Sequence, residues 1–127
     1  MGVAEGWAGW WRIVDCELWD LKALELLGPA LLSLTGEDDQ LRMAAILAHV
    51  HLRPTKRGVS FSWEGASEFD PISGTGTASV DKEGRLKGRI RIKDGDETTF
   101  VAVRTEEPKE PIEDPPSYRD KWRSRRR

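Results

Sequence analysis

Asp15 and Glu17 stand two apart between Trp11 and Trp19. On an extended strand alternate residues share a face, so Trp11, Ile13, Asp15, Glu17 and Trp19 would line one side. If that side faces a cavity, burial raises both carboxyl pKa values, and the pair could bind a cation or do acid–base work. If it faces water, the acids are solvated or pair with Arg12 or Arg104. His49 and His51 form H-x-H, which on a strand puts both rings on one face and can begin a metal site. A zinc centre needs three or four ligands, and Cys16 is the only other soft ligand. Glu64, Glu68 and Asp70 cluster around a central turn. Acids in turns ordinarily cap amides or face water, and a catalytic pair is the sharper alternative. No nucleophile-elbow sequence is present, and Gly74-x-Gly76 lacks the strand-to-helix context of a phosphate loop. Nothing in these patterns implies a cofactor.

A fourth constellation is cationic. Arg85, Lys87, Arg89, Arg91 and Lys93 alternate with Leu86, Gly88, Ile90 and Ile92. A strand with that pattern has one basic face and one apolar face. The basic face meets either water or an acidic or phosphate-bearing partner. The segment Ser117–Arg127 (SYRDKWRSRRR) places Tyr118 and Trp122 four apart among arginines that include Arg119 and Arg123. Together they could become one helical face on a partner.

The elements that must position these residues are mostly short and extended. Val59, Phe61 and Trp63 alternate strictly with Ser60, Ser62 and Glu64, the period-2 signature of a half-buried strand. Asp70-Pro71 reads as the next turn and Thr75–Val80 as the next strand. Asp81–Gly84 and Asp94–Asp96 mark hairpin turns, and Thr98–Arg104 closes the ordered part. Upstream, Trp10–Trp19 forms a strand whose face of Trp10, Arg12, Val14, Cys16 and Leu18 is the more apolar one. Asp20–Leu27 switches to helical spacing, with Asp20 as cap and Gly28-Pro29 as stop. Ala30–Leu34 is a strand. Gln40–Arg53 is ambiguous: its alanines and leucines favour helix, whereas a strand reading needs a β-bulge near Ala44-Ala45, where the apolar positions change face. Met1–Gly9 is expected to fray.

At 127 residues the chain supports one domain with a single core. Net charge is −2, so the whole molecule offers no electrostatic case for nucleic acid or membrane. One cysteine excludes an intramolecular disulfide and suits a reducing, cytoplasmic setting. No run approaches a membrane span, and no basic stretch precedes an apolar one as a secretory signal would. Residues 105–127 contain four prolines, alternating charge blocks and few apolar side chains. Such a composition cannot offset ordering entropy and predicts a disordered tail, leaving 1–104 as the folded domain.

Two resemblances extend this reading. The string WRI, ELWD, GPA, FSWEG, DPISGTG, GRLKGRI, GD and FVAVR, spread from Trp11 to Arg104, resembles a family of small uncharacterised bacterial proteins, and that resemblance implies no activity. The chain departs from the pattern at Ser67, Thr77 and Lys93, where an acid, a tryptophan and a histidine are usual. The G-x-W at Gly9–Trp11 with Arg104 on the last strand is similar to lipocalin-like barrels. There a first-strand tryptophan stacks under a last-strand arginine. The resemblance and the strand count together imply a small antiparallel up-and-down β-barrel of seven or eight strands with one short helix.

The expected function is a non-catalytic interaction module, docking a protein partner through the basic strand face and the aromatic-basic tail. A small ligand inside the barrel, walled by Trp11, Asp15, Glu17, Trp19, Trp63 and Arg104, is the alternative. A carboxylate-pair enzyme is the third. Nucleic acid could meet only the tail, whose acidic neighbours oppose non-specific binding.

Overall fold

The structure, a computed structural model, describes residues 6–108. Eight strands close into an antiparallel barrel in sequential order. They are β1 (Gly9–Cys16), β2 (Leu31–Leu34), β3 (Asp39–Met43), β4 (Ile46–Pro54), β5 (Val59–Ser67), β6 (Asp70–Val80), β7 (Leu86–Ile92) and β8 (Glu97–Thr105). One four-residue helix, α1 (Leu21–Leu24), lies between β1 and β2. Asp20 caps it by accepting a hydrogen bond from Ala23 N at 2.9 Å. Barrel closure is made by β1 and β8, where Trp11 pairs with Arg104 and Ile13 with Ala102. Closure removes every free sheet edge.

Alternation builds the core. Val59, Phe61 and Trp63 point inward from β5, Leu86 and Ile90 from β7, and Phe100 and Ala102 from β8, all buried. They meet Trp11, Ile13, Leu32, Leu34, Leu41 and Met43 in one cluster. Burying each large apolar side chain contributes about 1.5–3 kcal/mol. Two glycines make room for the rings. A Cβ on Gly74 would lie 2.6 Å from the Trp63 ring, and one on Gly76 would lie 2.3 Å from the Phe61 ring. The barrel interior beside β6 is therefore filled by Trp63 and Phe61.

Four expectations need correction. The segment Gln40–Arg53 is neither a helix nor a bulged strand. It is a hairpin, β3 and β4, whose two-residue turn is Ala44-Ala45, with Met43 opposite Ile46. Ala44 takes a φ of 51°, and its N–H donates to Leu24 O at 2.7 Å. A tertiary contact thus supports a turn that carries no glycine. The central turn is not Asp70-Pro71 but Glu68-Phe69, with Ser67 opposite Asp70. That makes β6 longer than Thr75–Val80. The face alternation of β1 does not persist to Trp19. The β1–β8 register shifts between Ile13 and Asp15, so Trp11 and Ile13 are inside and Asp15 is exposed. Finally, Gly6–Ala8 does not fray. Trp7 is buried, its carbonyl accepts a hydrogen bond from Trp11 Nε1 at 2.7 Å, and the Arg104 guanidinium donates to the Ala8 and Gly6 carbonyls.

Candidate functional site

The predicted site residues separate into three places. Trp11 and Arg104 meet at the closed end, with the guanidinium carbon 4.3 Å from the ring centroid. This is the pair that the lipocalin-like resemblance implies. With Trp7 beneath it, it seals the end of the barrel where the chain enters and leaves. Trp63 is also interior, its Nε1 donating to Thr75 O at 3.1 Å.

Asp15 and Glu17 are exposed at the other end, outside the barrel, so they do not form an interior carboxylate pair with Trp11. Glu17 Oε1 accepts the Thr99 N–H at 3.1 Å, and this bond lowers its carboxyl pKa below the ordinary 4.5. That is opposite to the rise a buried acid would show. The Glu17 and Leu18 amides donate to Thr98 Oγ1 at 3.0 and 3.1 Å. Glu17 thus ties the end of β1 to β8. Trp19 lies past the strand, half-buried against the core, and its carbonyl accepts from Cys16 Sγ at 3.4 Å.

The third place is the outer face of β4–β7, where strand register assembles a groove. Three cross-strand rows run over it. His49, Glu64 and Ser73 make the upper row, with Lys93 just beyond β7. The middle row is His51, Ser62, Thr75 and Arg91, and the lower row is Arg53, Ser60, Thr77 and Arg89. The two inner strands present only short side chains in the lower rows, while the outer strands present long ones. The result is a trough with a hydroxyl floor and basic walls. Two hollows of about 580 and 620 Å³ lie along it, sharing His51, Ser62, Thr75 and Arg91. Neighbouring strands are ~4.8 Å apart, so the trough spans roughly 14 Å from β4 to β7, wide enough for one extended chain.

The cations of the predicted basic face divide within this geometry. Arg85 precedes β7 and is held by Asp81 at 3.3 Å and by Glu83. Lys87 also reaches Asp81, at 3.4 Å. These two belong to the β6–β7 turn. Arg89 and Arg91 line the groove, and both reach the Glu97 carboxylate, Arg91 at 3.3 Å. Arg53 on the opposite wall enters no ion pair among the described residues. Tyr118, Arg119, Trp122 and Arg123 lie outside the described residues.

His49 and His51 do share the outer face of β4, whereas Cys16 is on β1. Among the described residues no group of three or more His, Cys, Asp or Glu is gathered for a metal ion. Glu64 faces the groove from β5, while Glu68 and Asp70 sit at its upper mouth. No helix among the described residues is long and apolar enough to cross a membrane. No protein-family model, curated protein or solved structure matches the chain.

Ser60, Ser62, Thr75 and Arg53 carry no site expectation from sequence, whereas His51 stands out there only as half of the H-x-H and Thr77 only as a departure from the family pattern. The available signal was that Ser60, Ser62, Ser73, Thr75 and Thr77, outward positions of β5 and β6, are all short hydroxyl residues. Its meaning depends on which strands are neighbours.

Proposed function

We propose that this barrel is a binding module whose β4–β7 groove docks an extended acidic segment of a protein partner. The observation that carries the reading is the pair of rows Arg53–Ser60–Thr77–Arg89 and His51–Ser62–Thr75–Arg91. Long basic or imidazole side chains stand at both walls and hydroxyls lie between them. A carboxylate on an extended chain finds a guanidinium or imidazole at the wall and an O–H donor at the floor. Arg89 and Arg91 already share one carboxylate, that of Glu97, which supports carboxylate recognition at this wall.

Exposed ion pairs contribute only about 0–1 kcal/mol each. Binding therefore needs several contacts along the groove and weakens as salt rises. The test uses the full chain and a fluorescein-labelled octaglutamate peptide, followed by anisotropy at low salt. Arg53→Ser with Arg91→Ser should weaken binding at least about tenfold, roughly 1.4 kcal/mol, with the far-ultraviolet dichroism unchanged. Lys22→Ser, on α1 away from the groove, should leave it alone. Equal affinity in the groove variant would overturn the proposal, as would preference for an oligothymidylate probe over the peptide.

A further inference from the structure

The β6–β7 side of the groove is a ladder. The outward residues of β6 are Ser73, Thr75, Thr77 and Ser79, and beside them stand Lys93, Arg91, Arg89 and Lys87 in that order. Each step of two residues therefore sets one hydroxyl next to one cation, and the step is repeated along the whole groove. We infer that the groove reads the register of its partner: it takes an extended peptide with acids on three successive alternate positions and a non-acidic residue on the next. This rests on the groove reading above and names the sequence class of the partner.

Three observations carry it. The first is pitch. A strand rises ~3.3 Å per residue, so rungs on one face stand about 6.6 Å apart. An extended peptide lying along the strands presents residues i, i+2 and i+4 to the floor at that same interval and turns the residues between them to water. Acids on alternate positions thus meet successive rungs. Acids spaced by three fall on opposite faces: the middle one points away, and the outer two land three rungs apart.

The second is extent. The basic walls continue below the two rows already described. A hollow of about 450 Å³ lies there, lined by Arg57, Ser79 and Lys87, and it shares Thr77 and Arg89 with the hollow above. Ser79–Lys87, Thr77–Arg89 and Thr75–Arg91 therefore form one continuous basic run, about 13 Å from first rung to last. Arg57, Arg53 and His51 flank it on the opposite side. Lys87 meets Asp81 at 3.4 Å in an exposed pair, and so weak a pair leaves the ammonium open to a partner's acid.

The third is where the run stops. At the next rung, Ser73–Lys93, the floor residue opposite Ser73 is Glu64, and Glu68 and Asp70 follow at the mouth. Like charges brought face to face are destabilising, so a fourth acid gains nothing there and a hydroxyl or basic residue fits. The upper end thus sets the length of the acidic run. A single-stranded nucleic acid also carries evenly spaced anions, but its bases need aromatic platforms. Phe61 and Trp63, the aromatic residues of β5, belong to the core cluster inside the barrel.

The experiment compares fluorescein-labelled peptides on the full chain by anisotropy at low salt. The peptide GTETETETG should bind about fivefold more tightly than GETTETTEG, which has the same composition and charge but acids spaced by three. That preference should vanish in Arg53→Ser with Arg91→Ser. The peptide GETETETEG adds a fourth acid in the same register. It should gain less than about twofold over GTETETETG on the native protein and about fivefold on Glu64→Gln, with the far-ultraviolet dichroism of the variant unchanged. Equal affinity for the two isomers, both weakened by Arg53→Ser with Arg91→Ser, would overturn this inference and leave the groove reading standing. Failure of both isomers and of octaglutamate to bind would overturn the two together, as would preference for an oligothymidylate. A full gain from the fourth acid on the native protein would overturn the role given to Glu64.

Discussion

The guanidinium of Arg104 rests on the Trp11 ring at 4.3 Å and reaches past it to the carbonyls of Gly6 and Ala8. One side chain from the last strand thus holds the first strand, the segment before it, and through that segment the buried Trp7. The ring contact is worth about 0.5–2 kcal/mol, and each hydrogen bond from a charged donor adds roughly 1.5–3 kcal/mol before desolvation is discounted.

Arg104→Ala should therefore destabilise the barrel by about 2–4 kcal/mol in urea unfolding, because it removes the ring contact and both hydrogen bonds. Arg104→Lys should recover less than half of that loss. An ammonium can sit on the ring but cannot span two carbonyls with a planar fork. A lysine variant as stable as the native protein would show that charge alone closes this end.

Gly76 is a packing position as much as a backbone one. A Cβ there would press into the Phe61 ring at 2.3 Å, and Phe61 is buried. Gly76→Ala should cost about 1–3 kcal/mol by overpacking. In the Phe61→Leu background the same substitution should cost clearly less, since the obstructing ring edge is gone. Additive losses in the double-mutant cycle would mean that the two sites do not press on each other.

Two carboxylates make stability sensitive to acid. Asp81 Oδ1 accepts the Arg85 and Glu83 amides, both at 2.9 Å. The Arg85 amide is the chief cause that lowers its pKa below 3.8. Glu17 is lowered below 4.5 by the Thr99 amide. A folded-state pKa below the unfolded value means that the unfolded chain binds more protons in between. The contribution is fully present above the unfolded values and is lost as pH falls through the folded ones. Asp81→Asn with Glu17→Gln should flatten the decline in melting temperature below about pH 4.5 and lower the plateau at neutral pH. An acid limb identical to the native one would assign the decline to other groups.

Much of this architecture was legible because alternation in β5, β7 and β8 is unbroken and the turns on either side of β7 use Gly and Asp. Two of the misreadings share one physical origin. At Ile13–Asp15 and at Ala44-Ala45 the chain changes face without a glycine or proline to mark it. Ala44 and Glu68 both adopt left-handed φ values, 51° and 57°, at a cost that neighbouring structure repays. Propensity in a short window cannot register the Leu24 carbonyl that receives the Ala44 amide. The groove was only half legible. Its β7 wall announces itself as a basic stripe, but its floor and its β4 wall exist only after three strand registers are fixed. Asp15 and Glu17 looked like chemistry because the alternation was extended two residues past the bulge.

The order of the strands also has a consequence for synthesis. Every neighbouring pair from β1 to β8 is joined by a short connection or by α1, whereas β1 finds its second partner only in the last strand. A chain emerging from the ribosome can zip hairpin after hairpin, yet Trp11 waits for Arg104 until nearly the whole domain has been made. Until then β1 keeps one naked edge, the kind of surface that invites pairing with other nascent chains. The final step is a single long-range closure, so the rate at which newly made molecules become safe from aggregation is set by how quickly the two ends of one barrel find each other.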